Sequence, residues 1–123
     1  MLTSPFDKYK ETQAQTANSS KLLLMLYDGA IRFVNLGVEG IEQNDFEKAN
    51  NNLIKTQAII NELIASLNFD YAIAKDLVRI YDYMLQQLIQ ANISKNKQPA
   101  VEVHDYLVEM KEAWLEASRM VNM

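Results

Sequence analysis

There is no cysteine among the 123 residues of this chain, so no disulfide framework, thiolate metal site or cysteine nucleophile is available and packing alone must hold the fold. Three glycines and two prolines are too few for a loop-dominated, collagenous or disordered polypeptide. One histidine cannot furnish a di-iron bundle, which needs a Glu three residues before a His on each of two helices; Val101 occupies that place before His104. His104 is therefore read as a polar surface or rim residue, and no metal or other cofactor is expected. Basic residues are outnumbered, with 12 Lys plus Arg against 16 Asp plus Glu and a net charge of −4, the wrong sign for a surface that tracks phosphates, so nucleic acid is not an expected partner.

Long apolar runs are missing too. The richest stretch, Leu22 to Val38, is broken by Asp28, Arg32 and Asn35, whereas a membrane span needs about 20 nearly uncharged residues. Met1 to Asp7 show no basic stretch leading into an apolar one, so neither a secretory signal nor membrane insertion is expected and the cytoplasm is the expected location. Ser19 and Ser20 have no nucleophile elbow around them and no glycine-rich loop could cradle phosphates, so the chain is not expected to be an enzyme.

What is present is helical periodicity. Phe46, Ala49, Leu53, Thr56, Ile60, Leu63 and Leu67 form one seam at steps of three and four. Ala74, Leu77, Tyr81, Met84, Leu88 and Ala91 form a second, and Ala100, Val103, Leu107, Met110, Trp114, Ala117 and Val121 a third. Asn44 with Glu47 reads as a capping-box start, Asp70 as a cap for the following helix, and Pro99 as a first-turn proline. Short polar links at Gln43 to Asp45, Asn68 to Asp70 and Asn92 to Gln98 force consecutive helices to run antiparallel. The expected fold is all-α, an antiparallel up-down-up-down four-helix bundle over residues 18–123. Ahead of it, residues 1–17 read as a short N-terminal helical segment, with Ser4, Pro5 and Asp7 at its start and Gln13 to Ser20 as a hinge.

The first long helix is too apolar for its place. Twelve of the seventeen residues from Leu22 to Val38 are apolar or Tyr, and Asp28, Arg32 and Asn35 share one narrow stripe, Asp28 and Arg32 being spaced for a helical ion pair. Every helix of a lone four-helix bundle has an outward face, so something must cover this one: the Phe6 and Tyr9 segment, a second copy, or another protein. Gly29 and Gly37, each costing roughly 1 kcal/mol in a helix interior, point to a neighbour packed close against that helix.

The block Leu22-Leu23-Leu24-Met25-Leu26-Tyr27-Asp28-Gly29-Ala30-Ile31-Arg32-Phe33 resembles the flagellin-specific export chaperone family FliS. The resemblance continues through Leu53-Ile54-Lys55, Ile59-Ile60-Asn61-Glu62-Leu63, Tyr81-Asp82-Tyr83-Met84 and Glu112-Ala113-Trp114, in order and over nearly the whole chain. It departs from the family's usual pattern at Gln86 and Gln87, where relatives often carry basic residues. The resemblance implies a cytoplasmic, non-enzymatic bundle that binds the disordered C-terminal segment of flagellin, prevents premature polymerisation and aids delivery to the export apparatus, with an export-gate component as a further partner.

Helix-in-groove capture fits the surplus apolar surface. Candidate partner-binding residues flank the strict seams: Tyr27, Ile31, Ile54, Ile64, Tyr81 and Leu85 on the bundle, with Phe6 and Tyr9 forming a displaceable lid. The alternative is a structural homodimer whose surplus surface covers a second copy and which has no client.

Overall fold

A computed structural model describes residues 19–121. Four helices, α1 (Ser19–Glu42), α2 (Phe46–Ala65), α3 (Ile73–Ser94) and α4 (Gln98–Val121), account for most of them, and no strand occurs among the described residues. The proposed lid, including Phe6 and Tyr9, lies outside the described residues. Each helix packs on its sequence neighbours, and α1 also packs on α4, which closes the square of an up-down-up-down bundle.

Cross-bundle contacts fix the register. Glu42 at the end of α1 meets Lys97 at the start of α4 (2.6 Å), and nearer the other end Asp28 meets Lys111 (2.5 Å). Asn92 donates to Asn50 Oδ1 at 2.8 Å, pairing the end of α3 with the start of α2. Asp28 therefore bridges to α4 and does not pair with Arg32, as the spacing of four had led us to expect; the Arg32 guanidinium instead stacks over Phe33, 4.8 Å from the ring centroid.

The second seam is buried as expected from Ala74 through Ala91. In α2, Ala49, Leu53, Thr56, Ile60 and Leu63 are buried, and Thr56 satisfies its hydroxyl by donating to the Asn52 carbonyl at 2.8 Å. Phe46 departs from the expected seam: it stays 48% exposed, with the Lys95 ammonium over its ring. In α4, Ala100, Val103, Leu107, Trp114 and Ala117 are buried and Met110 is half-buried. Each fully buried Leu or Ile contributes about 1.5–3 kcal/mol of transfer free energy, so these stripes hold the bundle together.

The turns correct two expected caps. Asn44 does not cap α2; it adopts a left-handed φ of 56° and ends α1. The Asp45 N–H reaches the Gly40 carbonyl (2.8 Å) and the Asn44 N–H the Ile41 carbonyl (3.1 Å), the two bonds of a Schellman ending. Asp45 is thereby left to cap α2, its carboxylate accepting from the Lys48 N–H at 3.1 Å. Asp70 does not cap α3, which starts three residues later at Ile73; its N–H is taken up by Asn68 Oδ1 at 2.9 Å in an Asx turn. Pro99 lies in the first turn of α4 as expected, while α3 runs on to Ser94 and shortens the last link.

Candidate functional site

Two of the expected partner-binding residues are interior. Tyr27 on α1 and Tyr81 on α3 are 0% and 1% exposed, and their hydroxyls meet across the bundle diagonal at 2.5 Å. Trp114 on α4 adds its indole N–H to the Tyr27 oxygen at 3.0 Å. A phenol can enter a core when its one polar atom is paired there, and this three-helix network supplies the pairing. Both fall on helix positions that face the bundle axis, which is why neither reaches the surface. Burial raises both phenol pKa values; hydrogen bonds from Tyr81 and Trp114 partly offset this at Tyr27, while the neighbouring Tyr27 raises Tyr81 further. The pair is thus held uncharged and serves structure.

The other positions divide. Ile54 is 51% exposed on α2, whereas Ile31, Ile64 and Leu85 are half-buried and packed against the core. In the register set by Asn50 and Asn92, one turn along α2 brings Ile54 level with Ile89 of α3, which is also exposed. Leu85 continues that α3 stripe, so Ile54, Leu85 and Ile89 share one apolar patch at the α2–α3 seam, which Gln57 and Asn61 separate from Ile64 farther along α2. Near the start of α1, Leu22 and Met25 leave more than half their surface in water.

The groove between α3 and α4 was missed as a unit by the sequence reading. Two adjoining hollows of about 350 and 250 Å³ share Ile80 and Met110. Ile73, Leu77, Ala113 and Trp114 line the inner one, and Arg79, Tyr83 and Tyr106 the outer one. Tyr83 and Tyr106 meet edge to face, centroids 6.2 Å apart. The Tyr83 hydroxyl and the Gln87 amide both donate to Glu102 Oε1 at 2.8 Å, and that carboxylate raises the Tyr83 pKa. The available signal was the stripe Ile73, Asp76, Ile80, Tyr83, offset by one position from the buried seam of the same helix.

His104 is partly exposed and faces Asp105 at 3.0 Å. Among the described residues no three His, Asp or Glu side chains gather as a metal ion would require, and no helix is long and apolar enough to cross a membrane. What the described surface does carry is exposed apolar side chains beside a buried core.

Comparison with known proteins agrees with this geometry. The profile of the family described as flagellar protein FliS matches residues 2–121. The flagellar secretion chaperone FliS of Bacillus subtilis is 37% identical over 116 residues, covering 94% of this chain and 87% of that protein. Its counterpart in Salmonella typhimurium is 34% identical over 111 residues, covering 88% and 82%, and that of Campylobacter jejuni 31% over 113 residues, covering 90% and 88%. A bundle with this seam order, this surplus of exposed apolar side chains and this match over nearly its full length belongs to the FliS family of flagellar secretion chaperones.

Proposed function

We propose that this chain binds the disordered C-terminal segment of flagellin in the cytoplasm, keeps it from polymerising early, and aids its delivery to the flagellar export apparatus through an export-gate component. The observation that carries this reading is the apolar surface outside a buried core: Leu22, Met25, Ile54, Ile80 and Ile89 all remain exposed. A filament subunit's terminal segment is disordered until it packs, so its apolar stripe needs a cover while it waits. Folding on binding consumes about 2–5 kcal/mol, which apolar strips repay better than isolated charges. The segment of residues 1–17 is proposed as a displaceable lid over part of this surface. A binding protein of this kind needs no catalytic group.

Titration calorimetry with a peptide of the flagellin C-terminal segment tests the reading, with a scrambled peptide as control. We expect 1:1 binding of the native peptide alone, and Ile54→Asp to abolish it while the circular dichroism melt stays cooperative. A stable dimer that ignores the peptide would establish the homodimer instead.

A further inference from the structure

Lys48, Lys97, Lys111 and Arg119 each sit beside a carboxylate, those of Glu39, Glu42, Asp28 and Glu116. Arg32 and Lys55 do not, and they converge. The Arg32 guanidinium lies 4.8 Å from the centre of the Phe33 ring and the Lys55 ammonium 5.4 Å from the centre of the same ring. Both side chains are exposed, and neither forms an ion pair among the described residues. Gly29, Phe33 and Gly37 fall on one stripe of α1, and the two glycines face Ile59 and Leu53 of α2, so the ring marks the middle of the α1–α2 seam.

Two cationic heads on one ring repel each other unless an anion lies between them. The helices supply none nearby. The residues three and four positions from Lys55 are Asn, Ala and Ile, and of those around Arg32 only Asp28 is acidic and it is engaged by Lys111. A guanidinium stacked on an aromatic face still has its N–H fork free in its own plane, and that fork matches the two oxygens of a carboxylate. The spot is thus a small positive island on a chain of net charge −4. A nucleic acid or an anionic membrane would need a broad positive field, so the island suits a single carboxylate better.

A segment that ends a polypeptide carries one anion whatever its sequence, the terminal carboxylate. We infer that Arg32 and Lys55 clamp the terminal carboxylate of the bound flagellin segment. This rests on the client reading above and adds the direction in which the segment runs. Ile54 directly precedes Lys55 in α2 and belongs to the apolar patch with Leu85 and Ile89 on the α2–α3 side. With its side chains a helix is about 10–12 Å across, so three or four extended residues carry a chain from that patch over the back of α2 to the clamp. The last side chains of the segment therefore cross α2, and its carboxylate comes to rest between the Arg32 fork and the Lys55 ammonium.

The test titrates the full chain with two forms of the flagellin C-terminal peptide, one ending in its free carboxylate and one in an amide. Wild type should bind the acid about fivefold more tightly at low salt, with the difference shrinking at high salt. Arg32→Gln combined with Lys55→Gln should weaken the acid to the level of the amide and leave the amide and the melting temperature unchanged. Arg32→Lys, which keeps the charge and loses the fork, should retain about a twofold preference. If wild type binds both forms equally, the clamp is wrong and the client reading stands. A preference for the acid that survives the double substitution places the carboxylate elsewhere and also overturns the clamp. If neither form binds, the client reading fails first. Asp7 and Glu11 lie outside the described residues; a preference for the acid seen only after Asp7→Asn with Glu11→Gln would show that the chain's own acids hold the two cations, against the inference. Dimerisation in light scattering that Arg32→Gln abolishes would put a second copy there, with the same consequence.

Discussion

The α1–α2 pair and the α3–α4 pair are both antiparallel hairpins with filled inner seams, yet one is sealed and the other is grooved. Small residues make the difference. A Cβ built on Gly40 would lie 2.6 Å from the Ala49 nitrogen and 2.9 Å from its Cα, and one on Gly37 would lie 2.7 Å from Leu53 Cδ2, so α1 and α2 approach backbone to backbone. Between α3 and α4 the equivalent space is spanned by Ile80, Met110, Tyr83 and Tyr106, whose size holds the outer edges apart. Close approach uses up apolar surface within the chain, while bulky spacers leave it exposed.

Breaking the sealed side should cost the most. Gly40→Ala sets a methyl group against backbone that cannot move aside, and should destabilise the bundle by about 3 kcal/mol despite alanine's better helix propensity, read as a lower melting temperature. The buried network beneath the open side comes next. Tyr27→Phe leaves the Trp114 indole N–H and the Tyr81 hydroxyl without their shared partner and should cost about 2 kcal/mol in urea unfolding.

That network also predicts a pH dependence. Both buried phenols have pKa values raised above the ordinary 10.0 that they regain on unfolding, so the folded state keeps protons that the unfolded state releases. Their contribution is fully present below pH 10.0 and is lost as pH climbs towards the folded values, by up to about 1.4 kcal/mol per pH unit for each phenol. Denaturant melts between neutral and alkaline pH should show this decline, and Tyr27→Phe should make it shallower.

Gly29→Ala sharpens the comparison with the smallest effect. The added methyl meets only the flexible tip of Ile59 at 3.1 Å, so the helix-propensity gain should prevail and stabilise the protein by about 0.5 kcal/mol. Loss at Gly40 and gain at Gly29, on one helix, would locate the backbone contact at the hairpin end of α1.

The fold was readable because seam periodicity is a local property: Ala74 to Ala91 could be counted off directly, and the short links fixed the direction of each helix. Caps were less readable, since Asn44 suits either a helix start or a left-handed helix end, and only the path of the chain into α2 decides between them. The close neighbour expected at Gly29 and Gly37 is found there as the side chains of Ile59 and Leu53, while the tightest contact with backbone falls at Gly40, nearest the turn. At the candidate site, Ile54 could be placed outside the seam from spacing alone. Tyr81 fell both in the counted second seam and among the flanking candidates, and its burial decides for the seam; Tyr27 could not be placed inside from spacing, because the pairing that makes its burial tolerable joins residues 54 and 87 positions apart. The α3–α4 groove escaped notice for a similar reason, being made by side chains from two helices whose register the sequence does not state.

If exposed apolar strips hold the flagellin segment as proposed, binding must bury apolar surface. The heat-capacity change on binding the flagellin C-terminal peptide, taken from calorimetry at several temperatures, tests it most directly. A distinctly negative value that moves towards zero in Ile54→Asp and Ile80→Ser is the predicted result. Tight binding with a heat-capacity change near zero, abolished by salt and indifferent to both substitutions, would contradict it.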